Sequence, residues 1–330
     1  MAPGGPGIRG LTVKVGQLPP SQSGGMILGG TDPMSISKKR DAAKHGAAAG
    51  EAGRPQSPDW TVDQGWENYT EADHAIWRTL FERQTRLLPG RACAAFLEGM
   101  RALPIGPEAI PDFRRLSEVL MKRTGWQLVA VPGLLPDDVF FDHLAHRRFP
   151  AGNFIRGADE LDYLQEPDVF HDVFGHVPML MNPGMAAFIQ AYGEGGLRAK
   201  ALGVLPNLAR VYWYTVEFGL VREPDGLRIY GAGIASSYSE SLFCLEDPSP
   251  NRIVFELERV MRTHYRIDDF QETYFVLNDL EELLDLERID FAPLYQRSRG
   301  LPELQPGDVL PTDRVLSRGS GAYQAARRAR

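Results

Sequence analysis

Between about residues 59 and 298 the hydrophobic positions recur at three- and four-residue intervals. Ile76, Leu80, Phe81, Leu87 and Leu88 mark one such stripe, and Phe113, Leu116, Val119 and Leu120 a second, each fitting one face of an α-helix. Gly125 follows the second stripe as a helix stop. Similar spacing predicts helices over 137–148, 185–202, 207–221, 238–246, 253–264 and 278–287. The one clear strand signal is 226–230, after the turn residues Pro224-Asp225, with a second short strand near 127–131. Strands do not alternate with helices as a doubly wound sheet requires, and there is no internal repeat. The pattern predicts a mainly α fold with a small β-ribbon, in one block over 59–298.

Both flanks lack this pattern. Residues 1–58 are rich in Gly, Pro, Ala and Ser and contain no aromatic residue. Such a stretch cannot bury enough apolar surface to offset its ordering entropy, so disorder is expected there. Residues 299–330 again contain Pro and Gly and end in Arg327-Arg328-Ala329-Arg330, which predicts a solvated, mostly irregular tail. A formal charge of −7 argues against nucleic-acid binding, which needs a basic face. The two cysteines, Cys93 and Cys244, form neither a disulfide framework nor a Cys-x-x-Cys motif, which points to a reducing compartment. No apolar run approaches the ~20 residues that span a bilayer, and no secretory leader is evident. The expectation is a cytoplasmic chain with no membrane partner.

Against that background two segments carry chemistry. EPDVFHDVFGHVP (166–178) offers His171 and His176, five residues apart, and YWYTVEFGL (212–220) offers Glu217 in otherwise apolar surroundings. Pro167 suits the first turn of a helix with Asp168 just inside it. Gly175 suits its end, and Pro178 opposes its continuation. On a continuous α-helix side chains five apart diverge by about 140°, so a break near Gly175 would let the imidazoles converge. Zinc proteases space their histidines by four with a glutamate after the first, and no Glu follows His171. A carboxylate buried at Glu217 costs on the order of several kcal/mol unless paired or metal-bound. A salt bridge to Arg210 or Arg222 would satisfy it; so would a cation shared with the two histidines. Two His and one Glu leave coordination positions open, as in the facial triad of non-haem Fe(II) oxygenases.

Two other groups are weighed and set lower. His143 and His146 share a helix face, but Arg147 and Arg148 oppose a cation there, so a surface or capping role is expected. YGAGIASS (230–237) half-matches a dinucleotide fingerprint, with Ser236 in place of the third glycine. It reads better as a close backbone approach to a site, with Ser236 and Ser237 as hydrogen-bond donors.

Taken together, EPDVFHDVFGHVP, YWYTVEFGL and YGAGIASS resemble the pterin-dependent aromatic amino acid hydroxylases, most closely the bacterial phenylalanine 4-monooxygenases, over about residues 77–295. VPGLLPDDVFFDHLAHRRF (131–149) is similar to that family's pterin-binding loop and following helix. The resemblance implies a single catalytic domain that brings L-phenylalanine, O2 and a tetrahydropterin (tetrahydrobiopterin or a relative) to Fe(II) and yields L-tyrosine, with pterin-recycling enzymes as indirect partners. It implies His171, His176 and Glu217 as iron ligands, Arg156 as the partner of the substrate α-carboxylate, and Asp168 as the residue orienting that arginine. An arginine fork suits such capture. Pro167, Trp213, Phe218 and Gly233 match walls of the amino-acid pocket, and Ser236 the serine that hydrogen-bonds the first iron histidine. Gly133, Leu134, Leu135, Phe140, Asp172, Ala209 and Tyr212 fall on the pterin side. Departures from the animal pattern are Pro136-Asp137, Asp172, Leu164 and Pro150, all away from the implied iron. Residues 1–58 are too short and polar for the family's regulatory domain, and no tetramerisation helix is apparent, so a monomer is implied. Tryptophan or tyrosine as substrate, or a binding protein without turnover, are the alternatives left open.

Overall fold

Several helices start on side chains that accept orphan backbone N–H groups. The computed structural model describes residues 57–162, 166–287, 289, 291–298 and 301–329. All but two residues of the expected disordered extension, and Leu164, lie outside them. Thr70 opens α1 (Glu71–Leu87) with a reciprocal capping box to Asp73. Helix α2 (Ala94–Ala102) follows, and Asp112 caps α3 (Phe113–Arg123) by accepting from the Arg114 N–H. Gly125, at φ 76°, stops α3 as expected.

Strand β1 (Gln127–Val131), helix α4 (Asp137–Ala145) and β2 (Arg148–Gly152) form a crossover unit whose two strands pair in parallel. The helix expected over 137–148 therefore ends early. Arg147 turns at φ 55°, and the chain leaves as a buried strand.

The segment 166–178 corrects a second expectation. No break occurs at Gly175; Phe170–His176 is a π-helical turn that runs directly into α5 (Val177–Leu180), with Pro178 in its first turn. Because π-helical hydrogen bonds run from i to i+5, residues five apart lie one above the other. That brings His171 and His176 onto one face without a break. Gly175 serves close packing instead: a Cβ there would stand 2.9 Å from the Ala232 carbonyl oxygen. An aromatic cluster anchors the turn from behind. Phe170 and Phe174 stack at 4.8 Å, with Trp77 edge-on to Phe170 and Phe81 edge-on to Phe174.

After α6 (Pro183–Ala201) and α7 (Leu205–Tyr212) comes a second π-helical turn, Trp213–Glu217. The helix expected over 207–221 thus changes winding at Trp213 and ends before β3 (Leu220–Glu223). A tight turn at Pro224-Asp225 joins β3 to β4 (Gly226–Ile229), the strand foreseen. Then follow α8 (Ala232–Ala235), α9 (Tyr238–Glu246), β5 (Asn251–Val254), α10 (Leu257–Met261), β6 (Thr273–Leu277), α11 (Glu282–Glu287), α12 (Phe291–Ser298), β7 (Val315–Ser317) and α13 (Ala322–Arg328).

The fold is mainly helical, yet its β part exceeds a ribbon: five strands form a mixed sheet in the order β4-β3-β6-β5-β7. Strands β5 and β6 are buried at every position, so neither shows the alternation of a half-exposed strand. That is why 253–264 passes for one helix when it is a strand end followed by a short helix. The described tail beyond residue 300 is irregular and solvent-exposed over most of its length, as expected, but it is docked on the domain at several points. Strand β7 pairs with β5, Leu304 is buried, and Tyr323 packs on Phe243 and Phe270.

Candidate metal and substrate site

The two π-helical turns supply the titratable centre. His171 Nε2 and His176 Nε2 are 3.2 Å apart. Glu217 Oε1 lies 3.2 Å from His176 Nε2, and Oε2 lies 3.6 Å from His171 Nε2. One ligand atom from each residue falls within 4.8 Å of the others. Ligands at right angles around a cation with bonds of about 2.1 Å stand about 3 Å apart, so the spacing fits three neighbouring positions of one coordination sphere. Neither Arg210 nor Arg222 pairs with Glu217; Arg210 donates to Glu303 and to the Met261 carbonyl instead.

Electrostatics agree with that geometry. Burial lowers the His171 pKa to about 4 despite the nearby Glu217 carboxylate. Burial also pushes His176 down, but the charge and hydrogen bond of Glu217 outweigh it and leave the pKa raised. At Glu217 burial pulls upward, and the two histidines more than offset it. The His171 tautomer follows from Ser236. Its hydroxyl donates its one proton to the Ala232 carbonyl at 2.8 Å, so it accepts from His171 Nδ1–H at 3.0 Å. Nε2 is left with its lone pair facing Glu217 and His176, the state a metal ligand needs. Phe149, which sequence reasoning passed over, places its ring 5.0 Å from that of His176.

Asp168 ends the loop before the first π-helical turn. It accepts from the His171 N–H at 3.0 Å and takes a fork from Arg156, Nε at 2.8 Å and Nη2 at 2.9 Å, with both residues buried. Burial raises its pKa, but the Arg156 hydrogen bonds and charge bring the net value below the usual range. Helical winding therefore starts after Asp168, later than Pro167 suggested. Pro167, Trp213, Phe218 and Gly233 are each partly exposed. The rings of Trp213 and Phe218 lie 4.6 Å apart, and a Cβ on Gly233 would meet Phe218 at 2.9 Å.

On the other side Tyr212 stacks 6.4 Å from His176 and meets Phe140 edge-on at 6.1 Å, with Ala209 buried one turn earlier. In the loop before α4, Leu135 is buried and Leu134 partly exposed, while a Cβ on Gly133 would stand 2.7 Å from Glu166 Oε1. Asp172 accepts from the Gly152 N–H at 2.7 Å, and burial pushes its pKa to about 7. Two expectations need correction. His143 is not at the surface; it is fully buried, with Nε2 2.8 Å from the Asp59 carbonyl. His146 does cap, through the Asp142 carbonyl. Ser237 accepts rather than donates, capping α9 at the Glu240 N–H.

Sequence reasoning also missed Tyr265 and Gln271. The Tyr265 ring stacks on Trp213 at 4.5 Å, and Gln271 Oε1 accepts from the indole N–H at 2.9 Å. A partly buried Trp demands an acceptor for its N–H, but sequence alone does not say which residue supplies it.

A mainly helical domain with two histidines and a glutamate converging beside a buried arginine–aspartate pair defines a metal-dependent enzyme. The chain belongs to the biopterin-dependent aromatic amino acid hydroxylases, whose family model matches residues 65–298. It is 62% identical to the phenylalanine-4-hydroxylase of Caulobacter vibrioides over 269 residues, covering 82% of this chain and 92% of that protein. It is 58% identical to that of Ralstonia nicotianae over 280 residues, 85% of this chain and 90% of the relative. The iron- and phenylalanine-bound crystal structure of the Chromobacterium violaceum phenylalanine hydroxylase superposes with a TM-score of 0.76 at 55% identity, covering 79% and 95% of the two chains. No helix among the described residues is long and apolar enough to cross a membrane.

Proposed function

We propose that this protein is a phenylalanine 4-monooxygenase in which His171, His176 and Glu217 hold Fe(II). The observation that carries the reading is the convergence of those three ligand atoms, with the His171 tautomer already set by Ser236. When bound, Fe(II) and a tetrahydropterin activate O2 and deliver one oxygen atom to the para carbon of the substrate ring.

The protein contributes position. Arg156, its fork fixed by Asp168, binds the α-carboxylate of L-phenylalanine, and Trp213, Phe218, Pro167 and Gly233 enclose the ring. Phe140 and Tyr212, with Ala209, the backbone of Gly133, Leu134 and Leu135, and Asp172, form the pterin side. A monomer working in the cytoplasm, with enzymes that regenerate the pterin, completes the reading. Both cysteines are buried free thiols, in keeping with a reducing compartment.

The test is aerobic turnover of the Fe(II)-loaded protein with tetrahydropterin and, separately, phenylalanine, tryptophan and tyrosine. Tyrosine from phenylalanine, as the preferred reaction, is expected. Preferred hydroxylation of either other amino acid overturns the substrate assignment, and phenylalanine binding without oxygen uptake overturns catalysis.

A further inference from the structure

Trp213 is held from behind by a segment that is neither helix nor strand. Residues 264–271 run between α10 and β6, and two of them touch the indole: Tyr265 stacks on it and Gln271 accepts its N–H. Gln271 is 1% exposed, and its amide orientation is forced. Its Nε2 donates to the Arg266 carbonyl at 2.7 Å and the Asp269 carbonyl at 3.4 Å, both pure acceptors, so Oε1 is the atom left for the indole. Its backbone N–H reaches Glu240 Oε1 at 3.4 Å.

The C-terminal segment, beyond the 65–298 match to the family, grips this stretch at both ends. Near residue 264, the Leu304 carbonyl accepts the His264 N–H at 2.9 Å, and Glu303 Oε2 lies 2.6 Å from His264 Nε2. The other oxygen of Glu303 accepts from Arg210 on α7, the helix that leads into Trp213. Near residue 270, Tyr323 Oη and Arg327 Nε donate to the two oxygens of Asp269 at 2.7 and 3.0 Å. The ring of Tyr323 lies 5.2 Å from that of Phe270.

We propose that Gln271 is a positioning residue for the amino-acid substrate, and that the C-terminal segment, through Glu303, Tyr323 and Arg327, belongs to the same support. Gln271 acts through Trp213, fixing the plane of the indole; the tail acts through 264–271. The inference rests on the reading above that Trp213 lines the phenylalanine pocket. It assigns to residues after 300 a task in substrate recognition that their distance from the metal ligands along the chain conceals.

The experiment compares the Fe(II)-loaded full-length protein with Gln271→Met, Tyr323→Phe, Trp213→Phe and the pair Gln271→Met/Trp213→Phe. Steady-state turnover is measured against phenylalanine and against tetrahydropterin, and phenylalanine binding by calorimetry. Loss of one hydrogen bond of ordinary strength should raise KM and Kd for phenylalanine roughly three- to tenfold. The kcat and the KM for tetrahydropterin should stay within about twofold. In the Trp213→Phe background, which has no N–H to fix, Gln271→Met should add almost nothing.

Equal changes in both KM values, or full additivity in the double variant, would reduce Gln271 to a packing role and overturn the proposal. Tyr323→Phe deletes one oxygen from a partly buried side chain and decides the matter if Gln271→Met fails to fold; an unchanged phenylalanine KM there overturns it. A wild-type protein that binds phenylalanine and turns it over while the variants match it sinks this inference alone. A wild type that does neither sinks the functional reading as well.

Discussion

Two buried glutamates have their pKa values displaced in opposite directions. Burial pushes the pKa of each upward. At Glu217 the histidines across the site outweigh burial and hold the carboxyl below its usual range. The hydrogen-bond donors to Glu240 among the described residues are neutral, the Tyr274 hydroxyl and the Gln271 N–H, and its pKa is raised to about 7. At Glu240 two neutral hydrogen bonds do not offset burial, whereas at Glu217 the charge and hydrogen bond of His176, with a smaller contribution from His171, do. Asp168, fully buried under the Arg156 fork, falls on the side of Glu217. The region built for negative charge is therefore the one where a metal and a substrate carboxylate are proposed to meet.

The largest break in that comparison is Glu217→Gln. Removing the anion should lower Fe(II) affinity by more than the roughly 10- to 100-fold typical of losing a supporting hydrogen bond, and abolish tyrosine formation. Iron content after anaerobic loading measures the first, and product assay the second. Next comes Asp168→Asn, which leaves Arg156 buried beside a neutral amide. Chemical denaturation should show a loss of about 3–5 kcal/mol, with weaker phenylalanine binding in the material that folds.

The smallest and most diagnostic is Glu240→Gln. The folded-state pKa of Glu240 is raised from 4.5 to about 7, so as pH rises through that window the unfolded chain releases a proton the folded chain retains. Stability contributed below pH 4.5 is lost as pH climbs through about 7, by about 3 kcal/mol in all. Gln cannot titrate. The stability of the variant relative to wild type should therefore improve by that amount from below pH 4.5 to above pH 7, as read from urea melts. A flat difference would show that Glu240 is ionised in the folded protein.

How much of this was legible beforehand depended on the kind of signal. Amphipathic helices such as Glu71–Leu87 and Phe113–Arg123 announce themselves by spacing, and His171, His176 and Glu217 by residue type in apolar company. The winding that unites them does not. Nothing in the composition of 170–176 separates π from α hydrogen bonding; tertiary packing of Phe170 and Phe174 on Trp77 and Phe81 accompanies it. Strands buried on both faces hide for lack of alternation, as at Thr273–Leu277. The docking of Tyr323 on Asp269 is a contact between residues 54 apart in sequence, with no local trace.

The π-helical turns make the candidate metal centre depend on winding. Such a turn is an α-helix holding one residue more than its pitch accommodates. Ordinary α winding of the same stretch, with its length unchanged, would swing the second imidazole about 140° away from the first. The meeting of His171 and His176 therefore rests on whatever keeps this turn wound as π, the rings of Phe170 and Phe174 packed on Trp77 and Phe81 among them.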